Sequence, residues 1–87
     1  MNSKQKKEQL KLLRTNYFIV SEIARNRLIK NNSLDIPECQ AYETINLIEW
    51  IANKSEQQLV AKKLINSFSL LSLEAKTIMR KYFDIWC

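Results

Sequence analysis

Few side chains in this chain could carry chemistry. There are two cysteines, Cys39 and Cys87, and no histidine. A zinc site of the usual kind draws its four ligands mainly from cysteine and histidine, so one chain cannot complete it. Neither thiol has an imidazole to deprotonate it, and the side chain that most often shuttles protons near neutral pH is missing. Glycine is absent as well. That removes the phosphate-cradling loops of nucleotide-binding proteins, which need glycine where backbone approaches phosphate. Glu38, Glu43 and Glu49 offer carboxylates, but at about 100° per residue their spacing does not put all three on one helical face. They read as a solvated surface. No catalytic residue, cofactor or metal ligand is expected, and the chain is not read as an enzyme.

Recognition has better support than catalysis. On a helix, Lys7, Lys11, Arg14 and Arg25 fall in one narrow sector, with Phe18 among them. Basic side chains around an exposed aromatic suit a phosphate backbone with a stacked base, or an acidic groove on a protein. The same pattern also serves as an ordinary solvated helix face. Charge is segregated along the chain. Residues 1–30 carry eight basic side chains against two acidic, residues 31–60 one against five, and residues 61–87 five against two. Such polarity steers an acidic partner to the first segment, or lets the acidic middle of one copy meet the basic start of another.

Trp50 and Trp86 are the other candidates, because tryptophan buries a large area, keeps one polar handle and is enriched at interfaces. In a short bundle it also serves simply as core. Trp50 falls with Leu47 and Ile51 on the side of its helix away from Tyr42, Ile45 and Ile48. Leu47, Trp50 and Ile51 are therefore the expected apolar contact with a partner.

These residues need helices to position them. Apolar residues three and four apart (Leu10, Leu13, Tyr17, Val20, Ala24, Leu28) predict one long amphipathic helix, capped at Ser3 and ending near Asn31. Leu12, Ile19 and Ile23 widen its apolar arc beyond a coiled-coil seam. A loop over 31–35 leads to Ile36 and Pro37, which open a second helix with proline where its missing N–H costs nothing. That helix runs to about Asn53 and is apolar nearly all round. Ser55 and Glu56 mark a fresh start, so either a third helix begins there or the second continues. Val60, Ala61, Leu64, Ile65, Phe68 and Leu71 then form its inner stripe. Ser72, with Glu74 in the first turn, caps a last helix whose inner face is Ala75, Ile78, Met79, Tyr82, Phe83 and Trp86. Its outer face carries Lys76, Arg80, Lys81 and Asp84. Without glycine, helix ends must use asparagine, and Asn31, Asn32, Asn53 and Asn66 stand where ends would fall.

The expected fold is all-α, a small bundle of three or four helices in a single helical domain over residues 1–87. Apolar residues at 46% and charged ones at 26% exclude a disordered chain. A domain of this size hides only about 60–65% of its unfolded surface, so its stability margin is thin. No apolar stretch approaches the roughly 18–20 residues that span a bilayer, and membrane insertion is not expected. The basic start is followed by a segment too polar for a secretory core, so the chain reads as a mature cytoplasmic protein with reduced thiols. A single Cys39–Cys87 bridge stays open.

Leu71, Ser72 and Glu74 at the start of residues 71–83, with Ile78, Tyr82 and Phe83 at the end, carry a resemblance to known families. The segment resembles the opening helix of sigma factor region four and of phage late-gene regulators of the ArpU and RinA type. In those families a turn and a recognition helix follow the Tyr-Phe pair, whereas this sequence stops at Cys87. The resemblance thus implies a truncated regulator that binds protein rather than reading DNA. The richness in Lys, Asn and Ile matches coding from an AT-rich bacterium or its phage. Two functions are expected in order. The first is a small bacterial or phage-type helical protein that binds another protein as inhibitor, adaptor, regulator or immunity factor. The second is a nucleic-acid-binding regulator using the basic face of the first helix, helped by Lys62, Lys63, Lys76, Arg80 and Lys81. The over-apolar second helix further predicts a homodimer.

Overall fold

Helix boundaries in this glycine-free chain are set by a few local bonds. The computed structural model describes the backbone of residues 3–86 and the side chains of residues 16–86. Among them are four helices, α1 (Ser3–Lys30), α2 (Pro37–Ile51), α3 (Lys54–Ser67) and α4 (Leu73–Phe83). The fold is an all-α bundle, at the upper of the two expected helix numbers.

Helix α1 ends on Asn32, whose φ of 52° is left-handed. Ser33 N–H reaches back to the Leu28 carbonyl at 2.9 Å and Asn32 N–H to that of Ile29 at 3.2 Å, the bond pair that closes a helix around a left-handed residue. Pro37 opens α2 directly after the extended Ile36. Helix α2 stops at Ile51 because Ala52 turns extended, so α2 and α3 are separate helices. Asn53, not Ser55, is the cap residue of α3, and the helix restarts at Lys54, one residue before the serine. Asn66 stays inside α3, which closes on the extended, buried Phe68. Of the four asparagines expected at helix ends, only Asn32 adopts a positive φ. The other left-handed position is Asp84, at φ 56°. Ser72 caps α4 as expected, its Oγ accepting the Ala75 N–H at 3.1 Å.

The tight turn after α1 makes α2 run back along it. At about 1.5 Å per residue, the 15 residues of α2 pair with roughly the last half of α1. The remainder of α1 continues past the end of α2. This single 28-residue helix, about 42 Å long, accounts for the 44 Å long axis of the molecule. Helices α1 and α4 each pack on both α2 and α3, and no contact joins α1 to α4 among the described residues. The α2–α3 pair is thus the shared diagonal of the bundle.

One core cluster joins the four helices. Val20 and Ala24 come from α1, Ile45, Leu47 and Ile48 from α2, Val60, Leu64 and Ile65 from α3, and Met79 and Phe83 from α4. Each large side chain buried this way is worth about 1.5–3 kcal/mol. Every helix also places one fully buried alanine at the contact: Ala24, Ala41, Ala61 and Ala75. These let the backbones approach closely where glycine is lacking.

The last helix departs from its expected inner face. Ala75, Met79 and Phe83 are buried, but Tyr82 is half-exposed and Trp86 is 72% exposed. Tyr82, still within α4, turns outward and donates to Glu49, whereas Trp86 is displaced by the left-handed turn at Asp84. That turn ends the helical period, sends Ile85 into the core in place of Trp86, and lets Ile85 N–H bond the Arg80 carbonyl at 2.8 Å. Gln58 Nε2 donates to the Phe83 carbonyl at 2.7 Å and pins this end to α3.

Candidate functional site

The outward face of α2 combines acidic and exposed aromatic side chains. Helix α2 contains Glu38, Glu43 and Glu49 and no lysine or arginine, in a chain of net charge +5. Trp50 stands 74% exposed on this face and Tyr42 52% exposed. Two shallow grooves flank the helix. One, of about 350 Å³, lies toward α1 and is lined by Leu28, Asn31, Glu38, Tyr42, Glu43 and Asn46 among others. The other, of about 320 Å³, lies toward α4 and is lined by Tyr42, Ile78, Lys81 and Tyr82. Tyr42 lines both, so its ring is the ridge between them.

Bonds between helices set the rims of this face. Arg27 of α1 donates to Glu43 at 3.0 Å, the one ion pair among the described residues. Tyr82 O–H donates to Glu49 Oε2 at 2.7 Å. That hydrogen bond raises the Tyr82 phenol above its usual value, with smaller contributions from desolvation and from the carboxylate charge. The three carboxylates were expected to diverge. Glu38 and Glu43 in fact line one groove, because α1 closes it from the side and brings both acids to its walls. Glu43 is bound to Arg27 and Glu49 to Tyr82, which fits surface positioning better than proton transfer.

The expected apolar stripe of α2 divides. Leu47 is only 1% exposed and belongs to the core, and Ile51 is half-buried against it. Only Trp50 of the three is fully presented. Helix α2 touches all three other helices, and the boundary of that cover falls between Leu47 and Trp50, about 60° apart on the wheel. Tyr42 moves the opposite way, from the expected inner side to the surface. Its signal was present in the sequence: Glu38, Asn46 and Glu49, at spacings of four, four and seven, surround it with polar neighbours.

On α1, Phe18 is 63% exposed and Arg25 is exposed seven residues later, on the same outward face. Exposed Glu22 stands between them and interrupts the basic character. Lys7, Lys11 and Arg14 lie on the helical backbone of α1, but their side chains fall outside the described residues. Of the supporting cations, Lys63 sits over the Tyr17 ring at 5.1 Å from its centroid. Lys81 lines the groove beside Tyr82 and Lys62 one beside Trp86. Among the described residues α1 and α4 do not touch, each packing on α2 and α3.

Cys39 is an exposed free thiol, and Cys87 lies outside the described residues. Among the described residues no three Cys, Asp or Glu side chains gather to hold a metal ion, and no helix is long and apolar enough to cross a membrane. No protein-family model matches the chain, no curated protein matches it, and no solved structure matches it.

Proposed function

We propose that this chain acts in the cytoplasm by binding another protein through the outward face of α2, as a small inhibitor, adaptor or regulator of bacterial or phage type. The supporting observation is the exposure of Trp50 and Tyr42 on one helix that also carries three glutamates and no basic side chain. Tryptophan and tyrosine are the side chains most enriched at interface hot spots, and each leaves apolar area in water when unpartnered. Grooves on both sides of Tyr42 provide the relief that a partner's side chains would fill. The test is site-specific photo-crosslinking in cells, with a benzophenone amino acid at Trp50 and, as control, at Arg25. A discrete protein adduct from position 50 alone supports the reading. Adducts from position 25 only, or none from position 50, reject it.

A second reading rests on exposed Phe18 with Arg25 on the outer face of α1: nucleic-acid binding by stacking and phosphate contact. Affinity for single-stranded DNA would then fall steeply with salt, as each neutralised phosphate releases counterion. A flat salt response excludes it.

A further inference from the structure

The face of α2 has a complement within the same chain. Residues 3–15 form the part of α1 that continues past α2, and they carry Lys4, Lys6, Lys7, Lys11 and Arg14 against the single acid Glu8. They make 13 residues of helix, about 20 Å. Helix α2 has 15 residues, about 22 Å, with three glutamates and no basic side chain. The two segments match in length and oppose in charge. Antiparallel pairing of α1 with α2 prevents them from meeting within one molecule, since α2 lies beside the other half of α1. Trp50 stands near the junction, at the end of α2 from which the first half of α1 departs.

We propose that the outward face of α2 is covered by residues 3–15 of a second copy of this chain, in a two-fold dimer whose axis passes near Trp50. A two-fold operation there carries each basic half-helix across the other's acidic face, so the contact is made twice. This sets a segment with five basic residues and one acid against the helix that carries Glu38, Glu43, Glu49 and the exposed Tyr42 and Trp50. This inference rests on reading the α2 face as a protein-docking surface and names the protein that docks. Another partner at that face would compete with the dimer.

The experiment is sedimentation equilibrium of the full chain at about 100 µM, in 50 mM and 500 mM NaCl. The unmutated chain is expected to be dimeric at low salt and to dissociate at least tenfold more readily at high salt. The pair Glu38→Lys with Glu49→Lys should weaken association at least tenfold, and so should Lys7→Glu with Lys11→Glu. The four changes combined should restore it to within about threefold. Circular dichroism of each variant confirms that the helices persist. A monomer at 100 µM in low salt overturns the proposal, as does a dimer that the charge reversals leave unchanged. In the first case, a Trp50 crosslink to a different protein would still uphold the docking reading. The two failures are therefore distinguishable.

Discussion

Gln40 of α2 completes the cap of α4 from 32 positions away: its Oε1 accepts the Ser72 N–H at 3.0 Å. In a capping box this bond comes from a Glu or Gln three residues into the same helix. That position is Ala75, and a side chain from a neighbouring helix supplies the acceptor instead. The Gln40 Nε2 donates to the Leu34 carbonyl, so one buried amide ties the α1–α2 loop to the start of α4.

Gln40→Leu should consequently destabilise the fold by about 2 kcal/mol, because it strands a backbone donor at Ser72 and an acceptor at Leu34, each in a part-buried hydrogen bond. Ser72→Ala removes only the cap oxygen from Ala75 and should cost about 1 kcal/mol. Urea unfolding monitored by circular dichroism compares the two. Equal losses would mean that Gln40 contributes no more than an ordinary cap.

Asp84 holds a left-handed backbone without glycine. Asp84→Gly should leave stability within about 1 kcal/mol of the parent, while Asp84→Val should cost about 1–2 kcal/mol, because a branched Cβ crowds the following carbonyl in that conformation. Thermal unfolding of the pair checks this. If valine were tolerated as well as glycine, the left-handed turn would not be what directs Ile85 inward.

Much of the architecture is legible locally. Pro37 after Ile36, Ser72 before Glu74, and the stripe from Val60 to Leu71 each depend on neighbours within a turn or two, and each appears as expected. The side of α2 that faces water does not depend on such neighbours. It is decided by where α1, α3 and α4 come to rest, and periodicity in a helix apolar nearly all round cannot separate Leu47 from Trp50. Gln40 is invisible for the same reason, since its partners stand 6 and 32 residues away. Trp86 was misplaced because continuing the helical period through Asp84 ignores that aspartate is among the residues tolerant of a left-handed backbone.

The Tyr82 phenol should titrate later than an ordinary tyrosine, because ionising it places a second negative charge beside Glu49 and breaks the hydrogen bond. The raised value in the folded state means that the bond's contribution is fully present below about pH 10, the ordinary tyrosine value, and is lost as pH rises through the folded value. Absorbance at 295 nm followed through alkaline pH should show the Tyr82 transition above that ordinary value. Glu49→Ala should lower it. An unchanged titration curve in that variant would dissociate Glu49 from the shift.

Leu47 and Trp50, three residues apart on α2, should separate stability from association. Leu47→Ala empties a site in the fully packed part of the core and should cost about 2–5 kcal/mol in unfolding free energy. For a domain this small, that is a large share of a total near 5–10 kcal/mol. Trp50→Glu replaces a ring already in water, so monomer stability should shift by no more than about 0.5 kcal/mol. Its effect should appear in binding, where loss of the hot-spot ring should weaken the complex by about 2 kcal/mol or more. Chemical denaturation and sedimentation on the same two variants test both halves. Loss of helicity in Trp50→Glu at low concentration, where no dimer persists, would return Trp50 to the core of the monomer and remove the docking face on which both functional inferences stand.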